Sequence, residues 1–562
     1  MQIRTPESFR RLLPRLALIC VLLTAFALRL YGIRFGLPAM LDPDELIFEL
    51  GAIRMLESGN GNPGWFGHPA TITMYVLALI NVGAFVSGYL RGTYQSPDGF
   101  AQSVFLDPAI VMLPGRIAMV CFAVLGVWLL YRLGLRISGK VCGLVAAAVL
   151  AISPLHVVWS QVVRSDILAT TFLVATMLFS WRYYENNRRS DFVWACLCIA
   201  LAITSKWPFA VAIFSILSAI LLADRRTESR LRTVSAMVLA LALCVLFTLV
   251  LSPFLILDYG TVLSNLQGEA QTRHVGSTGG LPPENLVFYA RTLSASGIGL
   301  LGSVLAVTGL VTVRKNRPFL LIIAAPTILM VAILASQNLV WERWIIAALP
   351  LCALLIGIAV AALARTGFGI PRTARLAAIF LSAFGIALPL LMQIHANAQE
   401  RLHDNRRIAT NWASANLPAG SRIMVEHFAF DLLNSSLDSI FPVGTAGCLN
   451  ARATLQNGFD YGQIDAVRGG NSNLDYGAIP PSARKTCAAD FAILTEHGRY
   501  RAEKETFPRQ NRAYEKLVAK GQVIARFKMA EGKVGGRPEV VVVDFRSQSR
   551  QFAGERKVLS GF

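Results

Sequence analysis

Charge is scarce in this chain: Asp, Glu, Lys and Arg make up 15% of its 562 residues, against 54% that are hydrophobic. Soluble domains carry roughly a quarter charged residues, so the deficit excludes an ordinary soluble enzyme and points to a polytopic membrane protein. Carboxylates are scarcer than cations, 34 against 53, and the balance is +19. That surplus is not a nucleic-acid face, because most Lys and Arg before about residue 400 sit in short connectors between apolar runs, as in the inner loops of multi-pass proteins. No Gly-rich fingerprint follows a strand, which argues against a nucleotide-binding Rossmann unit. Internal repeats and midplane charges, expected of a transporter, are not evident either. Cysteines show no metal-ligand spacing; Cys20, Cys121, Cys142, Cys196, Cys198, Cys244 and Cys352 all fall in apolar runs, as small core residues do.

Long apolar segments are plentiful. The first, about 16–31, follows Arg4, Arg10, Arg11 and Arg15 and lacks a small-x-small cleavage site, so it reads as a retained signal anchor with a cytoplasmic N-terminus. Others run over about 113–131, 141–159, 167–183, 192–205, 208–223, 234–257, 286–313, 319–335, 345–364 and 376–395. A further stretch, 69–90, is long enough to cross. If it did, the connectors holding Arg132, Arg136 and Lys140, Arg188 and Arg189, Arg225 and Arg226, and Arg314, Lys315 and Arg317 would all face outward. Read instead as an interfacial or re-entrant helix, it leaves those connectors inside, together with Arg372 and Arg375. The expected architecture is therefore all-α, with about eleven spanning helices over residues 1–395 and a long, partly helical first outer loop over 34–112.

Residues 396–562 have ordinary composition. Helical spacing over 406–416 and β-rich runs at 422–428, 491–495, 523–527 and 540–545 predict a small α/β domain on the outer face. Cys448 and Cys487 are the only cysteines there, and an oxidising compartment would allow one disulfide without requiring it.

The polar residues collect on that outer side. Leu41-Asp42-Pro43-Asp44-Glu45 places three carboxylates just beyond the first apolar segment, where they are costly unless water, a cation or a substrate compensates them. Pro43-Asp44-Glu45 also suits a helix start, so solvated loop charges are the plain alternative. The same loop holds His68, and Arg116 lies near the start of the next segment. The second outer loop pins Arg164 and Asp166 at the surface, and later turns carry Lys206 and Arg343. Each has a bland reading: His68 as a packing residue, Arg116 as a snorkelling cation, Lys206 as an interface anchor, Asp166 as a helix-start charge. Together they suit a site that holds an anionic lipid head group and removes a proton.

In order and placement these elements resemble the GT-C class of membrane glycosyltransferases, especially the branch of protein O-mannosyltransferases and lipid A aminoarabinose transferases. The matching elements are Asp44-Glu45, His68-Pro69-Ala70, Arg116 and Arg164-Ser165-Asp166, with Lys206 and Arg343 as further basic positions. The resemblance covers about the first 220 residues well. It departs where Ala70 replaces a second proline and where no cation follows Glu45, so no sugar is carried over. It implies an inverting transfer from a polyprenyl-phosphate sugar to an outer glycan, lipid or protein, in a bacterial-type cytoplasmic membrane. Asp44 would be the base, with Glu45 and Asp166 beside it; Arg164, Lys206, Arg343 and Arg116 would face the donor phosphate, and Asp42 and His68 would complete the loop site. The branch implies no obligatory cofactor, although Asp42, Asp44, Glu45 and Asp166 have the hard oxygens that suit Mg²⁺ or Mn²⁺. A lipid or glycan flippase and a noncatalytic envelope scaffold are the competing classes.

Overall fold

The computed structural model describes residues 7–224, 230–365, 371–450, 452–453, 475–528 and 538–546. Arg4, Arg225 and Arg226 lie outside them. A helical body precedes a small mixed-sheet domain. Six helices among the described residues are long and apolar enough to cross a bilayer, or eight if two bent pairs each count as one, so the chain is a multi-pass membrane protein. Apolar side chains on the body's outside fit that setting: Leu231, Val234, Val238 and Val245 of the helix Arg230–Leu251 are all exposed. Small residues bring the helices close. Gly134 lies over Gly143, where an added Cβ would come within 2.9 Å of backbone, and a Cβ on Gly309 would come within 2.0 Å of the Leu355 carbonyl.

Each apolar segment read from the sequence is answered by helix; 234–257 is interrupted at Ser252-Pro253, and two others are broken by sharp bends. Residues 141–159 divide into Lys140–Ala151 and Pro154–Ser160, bent by 60°. The cause is local: Ser153 caps the second helix through the His156 N–H, and Pro154 starts a helix but cannot continue one. Residues 286–313 divide at Gly299, whose φ is 74°, and the two parts bend by 115°. The last segment is longer than its apolar signal: the helix Arg372–Leu402 continues past His395 into the outer domain.

The first outer loop is helical. Asp42 accepts the Asp44 N–H and caps Pro43–Ser58, Pro43 occupies the first turn, and Gly59, with φ 63°, stops the helix. A second helix, Thr71–Leu90, is unbroken and is one of the six long and apolar enough to cross. At its start, Thr71 bonds Ser252 just past Arg230–Leu251, and Pro69 bridges Lys206 just past Arg189–Ser205. Ile72 clusters with Met119, while Leu77 lies over Gly115, four residues nearer the start of Ala109–Ser138. The helix therefore runs antiparallel to Ala109–Ser138, and its start lies at the same end of the helical body as the turns that hold Lys206 and Ser252.

The outer domain holds six strands among the described residues: β1 (Arg422–Val425), β2 (Asp438–Val443), β3 (Gly447–Asn450), β4 (Phe491–Leu494), β5 (Gln522–Phe527) and β6 (Val540–Asp544). Their order is β3-β2-β1-β4-β6-β5, with β1 parallel to both β2 and β4 and the other pairs antiparallel. Successive residues serve opposite cores. Ile423, Val425, Phe491 and Ile493 pack under the helix Asn405–Asn416, whereas Met424, Ala492 and Leu494 pack with Tyr500 and Tyr514. Burial on both faces explains the unbroken apolar runs of β4 and β6. Strands β2 and β3 escaped the sequence reading, because Pro442 interrupts the first and Gly444 and Gly447 flank the turn between them. Cys448 and Cys487 form a disulfide.

Candidate active site

The site is built on the start of the helix Pro43–Ser58. Asp44 and Glu45 are neighbours in its first turn, so their side chains leave it in different directions. Glu45 turns inward and is fully buried. Its carboxylate takes two bonds from Arg116, Nε–Oε1 at 2.9 Å and Nη2–Oε2 at 2.7 Å, and one from the Val163 N–H at 2.9 Å. Arg116 completes its own donors on the Ile33 and Phe35 carbonyls, both at 2.8 Å. Neither residue lines the cavity beside the site. Both were expected among the reacting groups; with no exposed surface and a forked pairing between them, they stand apart from the cavity.

Asp44 turns the other way, into a cavity of about 1300 Å³ between the helical body and the outer domain. Arg164 divides its donors between two carboxylates: its Nη2 and Nε hold Asp42 at 2.7 and 3.1 Å, and its Nη1 bonds Asp44 Oδ2. Arg343 Nη2 approaches the same Asp44 oxygen at 3.7 Å. Burial alone would raise the Asp44 carboxyl, but Arg164, Arg343 and His68 outweigh it and hold the group well below the usual carboxylate range. The nearest approach of both cations is to Oδ2. Arg343 is the less committed cation. Its guanidinium lies 4.3 Å from the Trp341 ring and 5.8 Å from Trp159, and its buried Nε has no hydrogen-bond partner among the described residues.

Lys206 and Asp166 stand behind this front. Their side chains are buried and pair at 2.5 Å, and neither lines the cavity, so Lys206 is not placed to touch a phosphate in this arrangement. The backbone fixes them to the His68 element: Trp207 N–H donates to the His68 carbonyl at 2.9 Å. His68 itself lines the cavity, and burial, then Lys206, push its imidazole down to about 3, so it is neutral at ordinary pH. All nine residues singled out from the sequence thus gather around one loop, but five of them, Asp42, Asp44, His68, Arg164 and Arg343, face the cavity. Trp159 and Trp341, which flank Arg343, were not foreseen; a tryptophan beside an isolated arginine at a helix end was the available signal. Among the described residues, no three or more His, Cys, Asp or Glu side chains gather as metal ligands.

The model of the dolichyl-phosphate-mannose-protein mannosyltransferase family matches residues 109–256, a stretch that includes Arg116, Arg164, Asp166 and Lys206. Among solved structures, ArnT from Cupriavidus metallidurans in the apo state aligns with a TM-score of 0.54 at 12% identity, over 94% of this chain and 96% of that one. The fold is that of the GT-C glycosyltransferases. A second ArnT structure from the same organism, bound to undecaprenyl phosphate, shares the GT-C frame with a TM-score of 0.51 at 13% identity, covering 96% of this chain and 98% of that one. The oligosaccharyltransferase AglB from Archaeoglobus fulgidus, in complex with an inhibitory peptide and a dolichol-phosphate, aligns at 0.50 with 11% identity over 90% of this chain and 72% of its own. No curated protein sequence matches this chain.

Proposed function

We propose that the chain is an inverting glycosyltransferase that moves a sugar from a polyprenyl-phosphate donor to a hydroxyl-bearing acceptor outside the cytoplasm. The observation that carries this reading is Asp44: an ionised carboxylate held by Arg164 and Arg343 at the wall of a large cavity that opens toward an outer domain. Two solved structures of the same fold hold polyprenyl phosphates, undecaprenyl phosphate in one and dolichol-phosphate in the other.

The chemistry follows from the two ends of the cluster. Asp44 Oδ1 accepts the acceptor hydroxyl proton as the hydroxyl oxygen forms its bond to the anomeric carbon. The bond from that carbon to the phosphate oxygen breaks on the opposite face, its electron pair stays with the lipid phosphate, and configuration inverts. Arg343, with donors to spare, stabilises the phosphate charge. Arg164 holds Asp42 and Asp44 in register, and the Lys206–Asp166 pair braces the loop from behind. The carboxylates of the front are already neutralised by guanidinium groups, so the reading includes activity without a divalent cation; transfer that stops on chelation and returns with Mg²⁺ or Mn²⁺ would overturn that part.

The membrane is read as a bacterial-type cytoplasmic membrane, with the N-terminus inside and the outer domain outside. The Cys448–Cys487 disulfide suits an oxidising compartment. A reporter fused after His395 tests this, and activity of a cytoplasm-dependent reporter there would refute it. The function itself is tested by comparing the glycans and lipid-linked sugars of a deletion strain carrying either the native chain or Asp44→Asn. An accumulated lipid-linked sugar and a missing glycan in the variant support transfer; identical products would remove it.

A further inference from the structure

The outer domain contributes its own set of groups to the cavity, and the sheet topology explains why they meet there. Strands β1 and β4 are parallel neighbours, yet from β1 the chain moves to β2 on one side and from β4 it moves toward β6 on the other. Where connections diverge in this way, a crevice opens beyond the carboxyl ends of the two strands, and ligands of parallel sheets bind in such crevices. Here the residues just beyond those ends are Glu426 and His427 after β1 and Thr495 and Glu496 after β4, and all four line the cavity that also holds Asp44.

The crevice is braced. Glu426 accepts the N–H groups of Tyr476, Thr495 and Glu496 and the Tyr514 hydroxyl, which ties both strand ends to the 475–478 turn. Asp475 accepts the Tyr500 hydroxyl at 3.1 Å. His427 differs from these: it is 3% exposed and lines the cavity, and neither ring nitrogen has a hydrogen-bond partner among the described residues. A buried imidazole without partners is costly unless a ligand supplies them.

We propose that the carboxyl ends of β1 and β4 form an acceptor subsite for an uncharged, hydroxyl-rich ring, so that the outer domain selects a glycan as acceptor. Charge balance favours this ligand over an ionic one. Several of the crevice's charged groups are already paired within the protein: Glu496 with Arg499 at 3.0 Å, Arg501 with Glu539 at 3.0 Å and Asp404 with Arg406 at 2.9 Å. Glu426 and Asp475 are hydrogen-bonded rather than ion-paired, and burial pushes their carboxyls up to about 8 and about 7, toward the neutral form. Burial, then Arg406, push the His427 imidazole down to about 3, which leaves one donor nitrogen and one acceptor nitrogen, a match for adjacent sugar hydroxyls. Tyr500 and Phe507 add aromatic surface to the same wall.

The inference rests on the transferase reading, and the experiment separates the two. Full-length protein in detergent is tested by ligand-observed NMR against neutral, phosphorylated and amino-substituted oligosaccharides. It is tested in parallel for the thermal shift given by undecaprenyl phosphate. The native chain and its His427→Leu, His427→Gln and Glu496→Gln variants are compared. The expected result is binding of neutral oligosaccharides, weakened about tenfold by His427→Leu, as loss of a pair of hydrogen bonds implies, and partly restored by His427→Gln, with the undecaprenyl phosphate shift unchanged. Should His427→Leu fail to fold, weakened binding in Glu496→Gln is the supporting result in its place. Preference for phosphorylated or amino ligands, or neutral-ligand binding indifferent to both positions, overturns the subsite. Glycan binding that persists while Asp44→Asn leaves envelope glycans intact would retain the subsite and refute the transferase.

Discussion

Asp44 and Glu45 are adjacent carboxylates with opposite fates. Glu45 is sealed, with both oxygens bonded and Arg116 forked against it. Asp44 is open: two cations approach one of its oxygens, and the residue lines the cavity. One step along a helix, about 100°, separates a buried ion pair from the carboxylate proposed as the base. The contrast teaches that neighbouring charges can have two uses: the sealed pair fixes the loop, and in the proposed reaction the open group depends on that fixed loop.

The contrast breaks most sharply by removing half of the sealed pair. Arg116→Met leaves Glu45 buried without its cation, and the expected cost is roughly 3–5 kcal/mol, read as lost yield and a lower melting temperature. Arg116→Met combined with Glu45→Leu should recover much of it, whereas a catalytic Glu45 would leave the double variant folded and dead. Next in size is Asp44→Asn, expected to lower transfer about 10²-fold or more with normal insertion and melting, since the amide keeps the shape but cannot take the proton. Near-normal turnover in a purified assay would remove Asp44 from the reaction.

A smaller effect distinguishes the two arginines of the open group. Arg343→Lys should raise the apparent Michaelis constant for the lipid donor about tenfold, because a point charge replaces a planar fork. Arg164→Lys should instead lower the maximal rate, because it loosens Asp42 and Asp44. The reverse pattern would exchange their roles. The smallest effect concerns Glu49, one helical turn beyond Glu45. Burial pushes its carboxyl from 4.5 to about 7, against the Asn81 hydrogen bond and with help from Glu45. Its folded value lies above its unfolded one, so its contribution is complete below about 4.5 and is lost as pH rises through about 7. Glu49→Gln should flatten the decline in melting temperature across that window; an unchanged slope would show that another group causes it.

Much of this was legible in the chain itself. Scarce charge placed on one side of apolar segments singled out every carboxylate and cation of the cluster, and the α/β character of the outer domain was visible in its strands β1, β4, β5 and β6. What the sequence could not supply was partnership. Arg116 and Arg164 are both lone cations near helix starts, and nothing local says that one is consumed by Glu45 while the other serves Asp42 and Asp44. Nor could periodicity show that Lys206 pairs behind the front, since the bridge to Pro69 joins residues far apart in the chain. The bend at Ser153-Pro154 was readable as a cap followed by a helix-starting proline, but continuous hydrophobicity across it masked the break. His427 carried no signal at all, because its importance lies in lacking partners that only a folded sheet could have provided.

The junction around Met40 has a mechanical consequence. Met40 donates its N–H to the Phe428 carbonyl at 2.8 Å, and Arg406 donates to the Leu41 carbonyl at 2.9 Å. Both attachments fall within two residues of Asp42, and Phe428 directly follows His427. The carboxylate proposed as the base is therefore tied to the C-terminal domain as well as to the helical body. There is almost no slack between the strand end that faces one wall of the cavity and the helix start that faces the other, so the gap between them is set like the jaws of a caliper, by the seating of the sheet.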